Sequence, residues 1–80
     1  MTATEIEPRL IAQLAMLMDT DVASINGDSS LQSLGVDSMR FVELFIYIEN
    51  EFGVELMATD MQRSDLETPQ AMAASIARNL

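Results

Sequence analysis

Apolar residues at Ile6, Leu10, Ile11, Leu14, Ala15, Leu17 and Met18 recur every three or four positions, the spacing that lines one face of a helix. A first helix is therefore predicted over Glu5 to Met18, with Pro8 in its first turn, where a missing N–H costs little. Asp19-Thr20-Asp21 ends the periodicity. From Asp19 to Asp37 no helical spacing is sustained; a turn cluster, Asn26-Gly27-Asp28-Ser29-Ser30, sits among apolar anchors at Val22, Ile25, Leu31, Leu34 and Val36. This predicts a long ordered loop pinned over the helices, and loops of that length in compact domains tend to be functional. A second helix is predicted over Ser38 to Phe52, with a stripe of Phe41, Leu44, Phe45, Ile48 and Phe52, and with Gly53 in the left-handed position that closes it.

Beyond Gly53, Val54-Glu55-Leu56 reads as a short extended stretch, and Thr59 or Asp60 caps a short helical turn through about Arg63. Thr68-Pro69 is a capping residue followed by proline at the first helical position, and Met72, Ala73, Ile76, Ala77 and Leu80 share one face of the last helix. The pattern as a whole predicts an all-α fold, a four-helix bundle of three main helices plus one short helix, with a long loop between helices 1 and 2. Residues 1–80 are expected to form a single domain.

Composition narrows the chemistry. The chain has no cysteine and no histidine, which removes disulfides, thiol catalysis, thiolate or imidazole metal sites and imidazole acid–base chemistry. Thirteen acidic residues against four basic ones give a net charge of −9, which repels nucleic acid and anionic lipid and steers the chain toward basic partner surfaces. Hydrophobic residues make up 49% of the chain, too many for a disordered acidic tail. With no signal-type segment and no run long enough to span a membrane, a cytoplasmic location is expected.

Gly35-Val36-Asp37-Ser38 places one hydroxyl where the long loop becomes the second helix. Unpaired backbone N–H groups and the positive end of the helix dipole suit a phosphate esterified there. Serine and aspartate are also the commonest capping residues, so Ser38 serves equally well as an ordinary helix N-cap with Asp37 beside it.

Leu34-Gly35-Val36-Asp37-Ser38-Met39, the helix from Val42-Glu43-Leu44 through Glu49-Asn50-Glu51-Phe52-Gly53-Val54, and Glu67-Thr68-Pro69 together resemble the acyl carrier protein family over essentially the whole chain. The resemblance lies in order and distance: a first helix, a long loop, G-x-D-S-[ML], a helix ending in E-x-E-F-G-V, and a late T-P. It implies that Ser38 bears 4′-phosphopantetheine donated from coenzyme A, with cargo held on the arm's terminal thiol as a thioester. It also implies that Asp37 helps dock the phosphopantetheinyl transferase and its metal. On this resemblance the chain is a carrier and not an enzyme, with no catalytic residue and no metal site of its own, and works as a monomer. Its partners are the transferase, a cargo-loading ligase or acyltransferase, and downstream biosynthetic enzymes.

Met39, Arg40, Glu43, Glu49, Glu51 and Glu55 are the candidate partner-binding residues; the glutamates form either a solvated face or a docking face for arginine- and lysine-rich enzymes. Fatty-acid carriers usually have an acidic residue where this chain has Arg40, so a specialised pathway of polyketide, nonribosomal peptide or D-alanyl type is expected. Fatty-acid synthesis is the alternative, and an unmodified acidic interaction module a further one. Asp37-Ser38-Met39 with Arg63-Ser64-Asp65-Leu66-Glu67-Thr68-Pro69 is similar to D-alanyl and other stand-alone aminoacyl carriers.

The remaining expectations concern packing. Phe41 and Phe45 are expected in the core, with contact to a bound acyl group as the alternative, whereas Tyr47, off the main stripe, either lines a cargo groove or rests at the surface. Met39, Met57, Met61 and Met72 are adaptable linings for a groove or gap-fillers in a small core. A calcium-sensor reading of the acidic, Met-rich chain fails on spacing: from Asp19, Ala23 and Ser24 stand where a ligand and a glycine are needed.

Overall fold

The first helix begins earlier than its apolar stripe. Thr2 and Glu5 form a capping box: the Glu5 N–H donates to Thr2 Oγ1 at 3.3 Å, and the Thr2 N–H donates to Glu5 Oε1 at 2.9 Å. The Thr2 N–H, and the Thr2 hydroxyl donating to the same Glu5 oxygen at 3.1 Å, hold the Glu5 carboxyl below the usual carboxylate range. In this computed structural model, which describes residues 1–56 and 63–80, helix α1 accordingly spans Ala3–Leu17. Pro8 then lies in the second turn, not the first as expected, and the N–H that would donate to the Thr4 carbonyl is missing. The helix ends in a left-handed turn at Asp19 (φ 50°), with the Asp19 N–H donating to the Met16 carbonyl at 3.3 Å and the Thr20 N–H to the Ala15 carbonyl at 3.0 Å. That pair of bonds is the Schellman pattern, here closed by a residue other than glycine.

The predicted loop contains a 3₁₀ turn at Val22–Ser24, capped by Asp21, whose Oδ1 accepts from the Ala23 N–H at 3.1 Å. The capped turn points Ile25 into the core and leaves Val22 51% exposed, so Val22 is not an anchor. Ile25, Leu31 and Val36 are buried and Leu34 is half-buried.

Helix α2 spans Ser38–Phe52, the predicted range, and closes on Gly53 (φ 71°), whose N–H donates to the Glu49 carbonyl at 2.9 Å. Leu44 and Ile48 are fully buried, with Phe41, Phe45 and Phe52 half-buried around them. Tyr47 is half-buried and does not rest free at the surface. Its ring meets Phe52 edge-on at 6.1 Å, its hydroxyl donates to the Arg9 carbonyl at a long 3.5 Å, and burial and Glu51 raise its pKa against the opposing pull of Arg9. With the Arg9–Glu51 ion pair at 2.8 Å, it ties α2 to α1.

A second 3₁₀ turn, Arg63–Leu66, begins where the expected short helical turn was to end; its predicted caps, Thr59 and Asp60, lie outside the described residues. Helix α3 spans Pro69–Arg78 and opens as predicted, with Thr68 Oγ1 accepting from the Ala71 N–H at 3.1 Å. It stops at the Asn79 cap, so Leu80 falls past the helix and is 56% exposed instead of completing the apolar face.

The described residues are all-helical, with three α-helices and two 3₁₀ turns. Ile6, Leu10 and Leu14 of α1, Leu44 and Ile48 of α2, and Met72 and Ile76 of α3 meet with Leu31 in one core, α3 lying chiefly against α1. Burying each such side chain contributes about 1.5–3 kcal/mol before entropy is counted.

Asp19 carries two penalties: a Cβ in the left-handed region and a negative charge at a helix C-terminus. Asp19→Gly is expected to stabilise the fold by about 1 kcal/mol and raise the melting temperature by roughly 4–8 °C. Thermal unfolding followed by circular dichroism checks this; an unchanged or lower midpoint would show that Asp19 is not strained.

Candidate functional site

A tight turn aims the start of α2. The Leu34 N–H donates to the Ser30 carbonyl, that of Gly35 to Gln32 and that of Val36 to Leu31, each at 3.1 Å. Gly35 has φ 90°, a conformation that L side chains rarely adopt, so glycine is required there. Leu31 and Val36 are sunk into the core at either end of the turn, and the Leu31 N–H donates to the Glu67 carbonyl at 2.9 Å. The chain therefore enters α2 from a fixed point.

Asp37, not Ser38, is the N-cap. Its extended backbone (φ −97°, ψ −176°) lets Oδ1 accept from the Arg40 N–H at 2.9 Å, while its carbonyl accepts from the Phe41 N–H at 2.9 Å. Ser38 is thus the first helical residue. Its hydroxyl is exposed and bonds to no described residue, and the N–H groups of Ser38 and Met39 likewise donate to none. An aspartate ahead of the serine takes the capping role and leaves the serine oxygen free.

Arg40, in the same turn, holds Nη1 3.5 Å from both oxygens of Glu43. A half-exposed pair at that distance is worth at most about 1 kcal/mol, so the guanidinium is only loosely held. Met39, Val42 and Ile46 are 70%, 48% and 54% exposed and follow one another at three and four residues, forming an apolar stripe on the side of α2 away from the core, with Glu43 beside it. The sequence reading missed Val42 and Ile46, although their spacing from Met39, off the core stripe, marks them. Glu49 is exposed at the edge of this face. Glu51 lies on the opposite flank, tied to Arg9, and Glu55 lies past the helix end. The structure thus brings Ser38, Met39, Arg40 and Glu43 together and leaves Glu51 and Glu55 apart from them.

A groove of about 720 Å³ runs beside the same turn, lined by Ser30, Leu31, Gln32, Val36 and Phe41 on the α2 side and by Leu66, Glu67 and Thr68 ahead of α3. Of the methionines expected to line such a groove, Met39 points to solvent and Met72 is fully buried in the core, while Met57 and Met61 lie outside the described residues.

This arrangement offers a hydroxyl at the head of α2, in a chain that has neither histidine nor cysteine and whose four basic residues are all arginines. A phosphate ester on Ser38 fits, with the oxygen exposed and two unpaired N–H groups at the positive helix end. Among the described residues, no helix is long and apolar enough to cross a membrane.

A family profile for the phosphopantetheine attachment site matches residues 8–76. The chain is 34% identical over 77 residues to D-alanyl carrier protein 1 of Lactiplantibacillus plantarum, covering 95% of each chain. It is 31% identical over 78 residues to D-alanyl carrier protein 2 of the same organism, covering 96% of each, and 34% identical over 64 residues to the D-alanyl carrier protein of Lacticaseibacillus casei, covering 79% of each. No solved structure matches this chain significantly.

The cap assignment separates two substitutions. Asp37→Ala is expected to cost about 1 kcal/mol and Asp37→Asn only a few tenths, because an amide oxygen also caps. Urea unfolding measures both; an equal loss in the two variants would remove Asp37 from the capping position.

Proposed function

The chain belongs to the family of carrier proteins defined by a phosphopantetheine attachment site, and from that premise we propose that Ser38 is the residue that bears the arm. Its prosthetic group is 4′-phosphopantetheine, which when bound supplies the terminal thiol that holds an acyl group as a thioester. An imported thiol lets a chain without cysteine handle acyl chemistry. The observation that carries the assignment is the free Ser38 hydroxyl at the first helical position, with Asp37 taking the cap in its place. The unpaired N–H groups of Ser38 and Met39 are donors for the phosphate, and Arg40 sets a positive charge in the same turn.

Carrier proteins generally do no chemistry of their own, and this chain is read as a tether and a recognition surface, not an enzyme. Three relatives bear the name D-alanyl carrier protein, which favours an aminoacyl cargo of that type over a fatty acyl one. The partners are then a phosphopantetheinyl transferase, a ligase that loads the amino acid, and the enzyme that receives it. Met39, Val42 and Ile46, with Glu43 and Arg40 at their side, form the docking face; Glu49, Glu51 and Glu55 contribute long-range attraction. We place the protein in the cytoplasm as a monomeric single domain, a state that its net charge of −9 favours.

Incubation with a phosphopantetheinyl transferase and coenzyme A is expected to add the mass of one arm to the intact protein and none to Ser38→Ala. Asp37→Asn, which keeps the cap, is expected to gain the arm more slowly, as a carboxylate with a docking role requires. Loading of Ser38→Ala, or no loading of the wild type by several transferases, would refute the assignment.

A further inference from the structure

The groove beside Ser38 has a polarity that selects what it can hold. We propose that it receives the loaded arm with the ammonium of an amine-bearing cargo set against the Glu67 carboxylate, which makes Glu67 a specificity-determining residue of this carrier. The inference rests on the reading of Ser38 as the attachment point.

Val36 and Phe41, which bracket Ser38 in the chain, both line the groove, so an arm fixed to Ser38 starts at its edge. Its volume of about 720 Å³ falls within the usual range of small-molecule sites. Leu31, Phe41 and Leu66 offer apolar surface, and Gln32 and Thr68 offer hydrogen-bonding groups, a mixture that suits a chain of methyls and amides. A long hydrocarbon laid there would desolvate Gln32 and Glu67 with nothing in return.

Glu67 is the one formal charge among these lining residues, and its carboxylate makes no ion pair with a described residue. Its backbone is held at three points. The carbonyl accepts from the Leu31 N–H at 2.9 Å, the N–H donates to the Ser64 carbonyl at 3.4 Å, and the next residue, Thr68, caps α3. The carboxylate therefore swings from a fixed base at the groove wall. It is exposed, so its attraction for a cation is screened and acts as a bias on cargo, not a lock.

The test compares two cargoes of nearly the same shape. A phosphopantetheinyl transferase loads the protein from coenzyme A analogues that carry either isotope-labelled alanine or a propionyl group through a non-hydrolysable amide. Intact mass reports loading, and nuclear magnetic resonance then follows the alanine amine against pH and the backbone amides of Gln32, Glu67 and Thr68. The amine is expected to titrate higher on the wild type than on Glu67→Gln by roughly 0.2–0.7 pH. The three amides are expected to differ between alanyl and propionyl forms in the wild type and to coincide in the variant. Glu67→Gln leaves the backbone bonds in place, and an unchanged melting temperature confirms that its fold is intact. Failure to gain mass overturns the attachment reading and this inference with it. A loaded protein whose amine titrates identically in both forms, or whose groove amides ignore the ammonium, overturns this inference alone.

Discussion

Leu31 is 1% exposed, and its N–H donates to the Glu67 carbonyl at 2.9 Å, so the long loop ahead of α2 is fastened to the segment ahead of α3 at a buried point, with the Gln70 N–H donating to the Gly27 carbonyl at 2.9 Å beside it. Ordering a loop of that length costs conformational entropy, and only a few residues are there to offset it. Ile25, Leu31 and Val36 do so by burial, and Gly35 turns the chain between the last two. Asp37 then begins α2 at one defined residue. A shift of one residue would place Ser38 at the cap and engage the hydroxyl that the present arrangement leaves free. The same Leu31–Glu67 bond closes the wall of the groove, so the site and its neighbouring cavity share one structural cause.

Charge acts on a longer scale. The chain carries −9, yet the first turn of α2 holds Arg40, only loosely paired with Glu43. A loosely paired cation there opposes the helix dipole and favours a phosphate, so its placement makes sense once the serine is esterified. The exposed stripe of Met39, Val42 and Ile46 adds apolar contact beside that point. A carrier that must bind and leave several enzymes gains more from charge-steered encounter and a small apolar patch than from a large interface.

Much of this was legible along the chain, for identifiable reasons. Helix α2 was readable at both ends because Gly53 accepts the left-handed conformation that closes a helix and Asp37-Ser38 ends a loop; Thr68-Pro69 marked the start of α3 through a capping residue and a proline at the first helical position. The start of α1 was misplaced because Thr2 and Glu5 cap it through polar side chains that an apolar stripe does not register. Val22 and Leu80 failed as core residues for one reason: a capped turn and a helix stop decide where they point, and hydrophobicity does not. The cap at Asp37 was hidden because aspartate and serine cap equally well, and only backbone geometry separates them. The groove was not legible at all, since residues 30–32, 36, 41 and 66–68 meet only through tertiary packing.

Native-state hydrogen exchange, resolved by residue, tests the pinned turn and cap most directly. Amides of Leu31, Val36, Arg40 and Phe41 are expected to exchange slowly, each having a partner, whereas those of Ser38 and Met39 exchange close to the rate of an unstructured peptide. Ser38 and Met39 amides as protected as Phe41, or Leu31 and Val36 amides as fast as a free loop, would contradict the view that a buried turn holds an unengaged serine at the head of α2.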